Sequence, residues 1–379
     1  MAKRIVYVVG GIYGPTGMGV ILSQKINYLA EHTDYDLHMI LTESPEKPWF
    51  CEMNPRVRWV NFDINFDELD TMPFAKKVFF YLLKQRRYKK LFKKYLMDIH
   101  PDITISALRR DINFINDIKD GSKKIGEIHF SRKYYRLFNF SFLPKKVNML
   151  LTNWWIGSLI QNLRKLDRFV VLTHSDYEHW PELDNKIVIP NFISDFPSQS
   201  SSLNRKNVIA VGRYTWQKGF DMLIDAWSLV VTHNQDWMLH IYGPGDNNEY
   251  QCMANEKGIG NRLVCHSYAK NVYEKYMDSS IFVLSSRYEG FGLVLAEAMA
   301  SGLPSVAFSC PDGPADIVTD GVDGILVESG NVEKLAEGLL YLISHEEDRV
   351  RFGANARQNM RKYDKDNIMQ QWIHLFESL

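Results

Sequence analysis

Cysteine is scarce in this chain of 379 residues: Cys51, Cys252, Cys265 and Cys310 are its only ones, and none forms a C-x-x-C pair. That spacing argues against a disulfide framework and a thiolate zinc site, and it suits a reducing compartment. No uninterrupted apolar run approaches the roughly 20 residues that span a bilayer. Low-complexity tracts are missing, and aromatic residues make up 13% of the chain, so it has the material for packed cores rather than disorder. MAKRIVYVVGG reads as a buried first strand, not as a secretory signal. Two phosphate signatures are also missing. The glycine-rich stretch after the first strand, GGIYGPTGMGV (Gly10–Val20), supplies neither G-x-G-x-x-G nor a terminal Gly-Lys-Ser/Thr.

Net charge is zero, yet the halves differ. Residues 1–190 hold 29 Lys/Arg and 21 Asp/Glu, a net of +8; residues 191–379 hold 16 and 24, a net of −8. Such asymmetry fits two domains with different partners, the basic one suited to a phosphate or an anionic membrane.

What is present is an alternation of short Val/Ile-rich runs with helix-like segments. Arg4–Val9, Leu37–Leu41, Ile103–Ser106 and Phe169–Thr173 have the continuous apolar character of buried parallel strands. The pattern pauses at ISDFPSQSSSLNRKN, which has linker composition, and restarts at VIAVG (Val208–Gly212). Two doubly wound α/β domains of similar size follow, facing each other across a cleft, with ligands expected at the carboxyl ends of strands.

Four stretches carry chemistry. Gly10–Val20 sits between a strand and a helix, where exposed N–H groups and a helix N-terminus favour phosphate; a plain tight turn is the other reading. GRYTWQKGF (Gly212–Phe220) places Arg213 and Lys218 five residues apart on a strand-to-helix turn, where a guanidinium fork and an ammonium could converge on a diphosphate or remain solvated. RYEGFGLVLAEAMASGLP (Arg287–Pro304) brackets an apolar, glycine-containing segment with Glu289 in a loop and Glu297 in the second turn of a helix. A carboxylate between Ala296 and Ala298 needs a hydrogen-bond partner, which ligand hydroxyls would supply. Finally, Lys76–Leu96 holds nine basic residues and no acidic one, interleaved with Phe, Leu and Tyr. It reads as an anionic-membrane surface, with an ordinary solvated helix as the alternative; nothing else in the chain supports nucleic-acid binding. DYD (Asp34–Asp36) and DKD (Asp364–Asp366) match a D-x-D metal pattern but lie beside helix ends and read as solvated charges, so no metal site is expected.

The pattern E-G-F-G-L-V-x-x-E-A-M-A-x-G-x-P resembles that of the retaining GT-B glycosyltransferases of family 4. GRYTWQKG is similar to that family's donor-phosphate motif, IVIPNFI to its interdomain segment, and CPDGPADIVTDGVDGILVESGNVEKLAEGL to its C-terminal signature, in the form found in bacterial surface-polysaccharide galactosyl- and N-acetylhexosaminyltransferases. The resemblance is strong over residues 187–345 and weaker before them. It implies an α/β fold of GT-B type with an acceptor-side domain over 1–190, a donor domain over 191–362 and a final helix, 363–379, returning to the first. It implies that Arg213 and Lys218 hold the donor diphosphate, and that Glu297 binds the ribose. Glu289 would contact the donor sugar together with the main chain of Phe291, Gly292 and Leu293. Gly17 and Gly19 would approach the distal phosphate, Tyr268 would lie near the base, and His129 of IGEIHFS near the sugar. Glu289 and His129 are therefore the catalytic candidates. The implied activity is retaining transfer of a hexose or N-acetylhexosamine from a UDP-sugar to a glycan or lipid-linked acceptor. It needs no cofactor or metal ion and takes place in the cytoplasm, peripherally on the inner membrane face. A nucleotide-sugar epimerase of the same fold and a non-catalytic binding subunit are the alternatives.

Overall fold

A computed structural model describes residues 2–14, 17–135 and 144–379. The chain builds two all-parallel sheets. The first has seven strands: β1 (Arg4–Val9), β2 (Asp36–Leu41), β3 (Arg58–Asn61), β4 (Ile103–Ser106), β5 (Lys123–Glu127), β6 (Arg168–Val171) and β7 (Lys186–Val188). Their order is β3-β2-β1-β4-β5-β6-β7. The second has six: β8 (Asn207–Val211), β9 (Met238–Tyr242), β10 (Leu263–His266), β11 (Ile281–Leu284), β12 (Ser305–Phe308) and β13 (Gly324–Val327), ordered β10-β9-β8-β11-β12-β13. In each sheet the winding reverses once, between β1 and β4 and between β8 and β11, the usual place for a ligand.

Helices cover both faces. With the first sheet go α1 (Gly17–His32), α2 (Phe74–Ile99), α3 (Lys145–Leu163) and α4 (His174–Glu178). With the second go α5 (Phe220–His233), α6 (Asn248–Glu256), α7 (Val272–Met277), α8 (Leu293–Ala300), α9 (Pro314–Ile317), α10 (Val332–Ser344) and α11 (Glu346–Asn359). Because helices lie on both faces, the central strands lose polar/apolar alternation: Ile5, Val6, Tyr7, Val8 and Val9 are all buried, as are all four residues of β11.

The last helix, α12 (Lys365–Glu377), packs on the first sheet, where Ile368, Met369, Trp372 and Phe376 join the core of Ile5, Tyr7 and Ile26. The chain therefore crosses between the halves twice, and the two crossings run side by side: the Ile193 N–H donates to the Tyr363 carbonyl (2.9 Å). Arg357 fastens the first crossing by donating to the carbonyls of Pro197 (2.6 Å), Gln199 (3.0 Å) and Ala300 (2.7 Å).

Helix α2 departs from a simple amphipath. Tyr88, Phe92 and Leu96 pack inward in its second half. Its first half leaves Phe74, Val78, Phe79, Leu82 and Leu83 exposed beside Lys76 and Lys77, and α3 exposes Met149, Leu150 and Trp154. Among the described residues no helix is long and apolar enough to cross a membrane. Of the acidic D-x-D stretches, Asp36 is not a solvated charge: it lies 2.6 Å from Arg4 and 3.5 Å from Arg58, with His38 at 3.2 Å. Asp364 caps α12 by accepting from the Asp366 N–H (3.1 Å). Both tasks are local and structural, which a charge pattern alone does not disclose.

Candidate active site

The carboxyl ends of the central strands bring the expected residues to one cleft. After β8 the chain turns through Gly212 and a single 3₁₀ turn, Trp216–Lys218, before α5. After β11 it turns through 285–292 before α8. Polar bonds join these loops. The Ser285 hydroxyl donates to the Lys218 carbonyl (2.9 Å), the Gln217 amide to the Tyr288 carbonyl (3.0 Å) and the Arg287 N–H to the Gln217 carbonyl (2.8 Å). The Arg287 guanidinium forks onto Asp221 at 2.9 and 2.5 Å.

Within this frame Lys218 Nζ lies 2.7 Å from Glu289 Oε1, and the Ser286 hydroxyl donates to the same oxygen at 2.6 Å. Both ends of the ion pair are largely sequestered, at 12% and 8% exposure, so the pair is held in one geometry rather than sampled in solvent. Arg213, by contrast, is exposed, with one contact to Gln217 at 3.5 Å, and its guanidinium remains available to a ligand. Burial, with Glu289 next, pushes the Cys310 thiol up, so this buried cysteine stays neutral beside the Lys218–Glu289 pair.

Helix α8 begins at Leu293, after Gly292 in the left-handed region (φ 101°), which a side chain would strain. The Leu295 and Ala296 N–H groups already donate to the Gly292 carbonyl (3.0 and 3.1 Å), so the end of the helix offers an anion the N–H groups of Leu293 and Val294. Gly17, the first residue of α1, faces this point: a Cβ on it would lie 3.4 Å from Leu293 Cδ1. Two helix N-termini, one from each half, thus meet at the cleft; Gly19 is buried one half-turn further along α1. Glu297 sits half-buried on the second turn of α8, and among the described residues no donor reaches its carboxylate. Burial, reinforced by Asp195, pushes its carboxyl up to about 7. Tyr268, after β10, is exposed and meets Phe50 of the first half edge-on (6.3 Å). Phe291 is buried, and its carbonyl backs against Gly313.

His129 follows β5 on the opposite wall. The loop that carries it packs on the Glu289 loop: Tyr134 stacks on Tyr288 (3.9 Å, 14°), and Gly290 abuts the His129 carbonyl. Behind His129 lies a network not anticipated from the sequence. Glu127 Oε1 is 3.3 Å from His129 Nε2 and pairs with Lys25, whose ammonium lies 3.7 Å from the centroid of the Trp372 ring. Burial opposes charge on Glu127, yet Lys25, with His129, holds its carboxyl down at about 2. A two-residue spacing in E-I-H was the available signal, since alternate residues of a strand share a face. Ser286 and Asp195 were also missed, being ordinary polar residues in loops. The cleft therefore offers two cations, two helix N-termini, a half-buried carboxylate that no described donor reaches and a buried imidazole, a set that can hold a diphosphate, a pair of hydroxyls and a sugar.

Residues 192–359 match the family model described as Glycosyl transferases group 1. Among curated proteins, the chain is 30% identical over 225 residues to a poly(ribitol-phosphate) alpha-N-acetylglucosaminyltransferase of Staphylococcus aureus, covering 58% of this chain and 46% of that one. It is 35% identical over 219 residues to the amylovoran biosynthesis glycosyltransferase AmsD of Erwinia amylovora, covering 54% and 61%. The matched stretches thus span about half the length of these relatives. Among solved structures, a mutant of S. aureus TarM in complex with fondaparinux, alpha-GlcNAc-glycerol and UDP superposes over 99% of both chains with a TM-score of 0.75 at 19% identity. The fold is the GT-B arrangement of two Rossmann-like domains.

Proposed function

We propose that this protein is a retaining glycosyltransferase of surface-polysaccharide assembly, taking a hexose or N-acetylhexosamine from a UDP-sugar to a glycan or lipid-linked acceptor. The match over residues 192–359 and the similarity to a poly(ribitol-phosphate) N-acetylglucosaminyltransferase and an amylovoran biosynthesis glycosyltransferase support the class. The observation that carries the reading is the convergence, at a cleft bounded by both domains, of the Lys218–Glu289 pair and the unpartnered Glu297 beneath two helix N-termini.

In this reading the donor diphosphate lies over the α8 N-terminus, bridged by Arg213 and Lys218. Negative charge grows on the leaving phosphate as the glycosidic bond breaks, so these cations act where charge develops, with no metal ion required. Lys218 has three donors and can serve Glu289 and a phosphate oxygen together. Glu297 accepts the two ribose hydroxyls, Tyr268 lies beside the base, and Gly17 and Gly19 bring the α1 main chain to the distal phosphate. Glu289 and His129 flank the sugar. Glu289 is bound to a lysine and a serine, which suits positioning and electrostatic support of an oxocarbenium-like transition state more than covalent attack. Closure of the cleft excludes water that would otherwise hydrolyse the donor.

The exposed apolar residues of α2 and α3, flanked by lysines, support docking on an anionic membrane, where a lipid-linked acceptor would be met. The test of the central reading is incubation with a panel of nucleotide sugars, following UDP release with and without acceptor glycans. Acceptor-dependent release supports transfer. Interconverted sugar without an acceptor, or binding without turnover on every acceptor, overturns it.

A further inference from the structure

One polar cluster at the domain interface takes no part in the proposed reaction. Asp176 and His179 lie on and just after α4, in the first half. Asp312 lies after β12, in the second. One ligand-capable atom from each falls within 4.8 Å of the others. His179 Nδ1 is 2.8 Å from Asp312 Oδ1, but without the alignment of a hydrogen bond, and both Asp312 oxygens lack a donor although the residue is 2% exposed. Asp176 is buried as well, and one of its oxygens accepts from the Trp180 indole N–H (3.1 Å).

Two buried carboxylates facing each other need positive charge between them. Among the described residues no Lys or Arg side-chain nitrogen lies within 4.0 Å of either. Arg132 reaches Asp176 through its main-chain N–H and, more weakly, its charge, but its guanidinium is engaged elsewhere: it forks onto Glu182 at 2.7 and 2.8 Å and covers the Trp180 ring at 4.7 Å. One imidazole nitrogen and two carboxylate oxygens are the donor set of a divalent first-row transition ion. Donors 2.0–2.4 Å from a shared ion stand at most about 4–4.8 Å apart, so the cluster has a compatible span. His179 is 46% exposed, which leaves an entry path and room for water ligands.

We propose that Asp176, His179 and Asp312 form a divalent-cation site, for Mn²⁺ or Zn²⁺, that clasps the two domains together. The ligands come from both walls of the cleft, so the ion binds fully only when the cleft is closed. It is separate from the donor diphosphate, whose charge is met by Arg213 and Lys218. The adjoining interface is already stitched in the same place: Asp316 accepts from the His174 N–H (2.8 Å) and from the Ser175 hydroxyl.

The test uses the full chain, stripped with chelator, without nucleotide, and titrated with Mn²⁺ or Zn²⁺ alone. Wild type is expected to retain one equivalent after gel filtration and to rise in Tm. His179→Gln, a change at an exposed position, should weaken binding by at least the 10–100-fold that follows loss of a supporting group. Asp312→Asn should abolish it. Retention of no ion by wild type, or equal retention by all three proteins, overturns the site. So does an Asp312→Asn protein that is more stable than wild type while wild type ignores both ions, because a shared proton would then hold the carboxylates.

Discussion

Gly290 rests directly on the main chain of His129. A Cβ at Gly290 would lie 3.0 Å from the His129 carbonyl carbon and nearer still to its oxygen. The loop bearing Glu289 and the loop bearing His129 can meet only because residue 290 has no side chain. Gly290→Ala should therefore hold the two loops apart. A displacement of about 1 Å from reacting geometry costs on the order of 10²-fold, so kcat/KM for UDP-sugar turnover should fall about that much, and Tm should fall too because the clash is with main chain. Unchanged kinetics would show that this approach is not needed for turnover.

Lys218 and Glu289 form a sequestered pair, so the two can be separated by a double-mutant cycle. Lys218→Met strands a buried carboxylate and should cost about 3–5 kcal/mol of stability, measured by urea unfolding. Adding Glu289→Gln should recover most of that loss. Activity should not return, because kcat loses the charge facing the leaving diphosphate, about 10²–10³-fold if that charge acts like an oxyanion-hole donor. Recovery of activity in the double variant would leave Lys218 a purely structural role.

The proposed contact of Glu297 with the donor ribose gives donor binding a pH dependence of known sign. Its carboxyl is raised to about 7 in the empty cleft, so most of it is protonated at pH 6. Hydroxyl donors favour the carboxylate, so UDP binding should release protons and tighten from pH 6 to pH 8, measured by calorimetry in two buffers. Glu297→Gln should flatten that slope and lower affinity. The raised value also means that this group's contribution to the stability of the empty protein is largest below pH 4.5 and declines as pH rises through about 7. Donor binding should offset the decline.

Glu127 works in the opposite sense. Its carboxyl stands at about 2 in the folded protein against an ordinary 4.5, so its stabilising share is present above 4.5 and is lost as pH falls toward 2. Lys25→Met should remove that share and destabilise the protein by about 3–5 kcal/mol, with Lys25→Met/Glu127→Gln partly restoring it. A single variant with wild-type Tm at pH 7 would contradict the pairing.

The membrane reading rests on the first half of α2. Phe79→Ser/Leu83→Ser removes exposed apolar area without touching Tyr88, Phe92 or Leu96, so folding should be retained. Co-sedimentation with vesicles rich in anionic lipid should drop, and wild type should ignore neutral vesicles. Equal partitioning of both proteins would dismiss the idea.

Much of the fold was legible because buried parallel strands carry no alternation and loops at their ends carry glycine. Strands β1, β4 and β8 coincide with such runs, and α8 begins at Leu293, where the glycine turn ends. The short β3 and β7 were not legible: their residues are at best half-buried at sheet edges and lack a strong apolar signal. Glu289 and Glu297 stood out because a carboxylate is costly inside an apolar segment. Lys25 did not, since a lysine in a helix is ordinarily solvated; only packing against Trp372, 347 positions on, makes it a buried cation.

Local chemistry was written in the order of residues: which segments become strands, where glycine lets the main chain turn, and which charges sit at strand ends. These follow from neighbours within a few residues, where side-chain period and backbone freedom act. Which charges share a site was set by packing across the whole fold. The Lys218–Glu289 pair spans 71 positions, Lys25–Glu127 spans 102, and Asp312 meets His179 from the other domain. Such partnerships depend on sheet order and on closure of one half against the other, and the balance between desolvation and pairing that sets each charge exists only once both have happened.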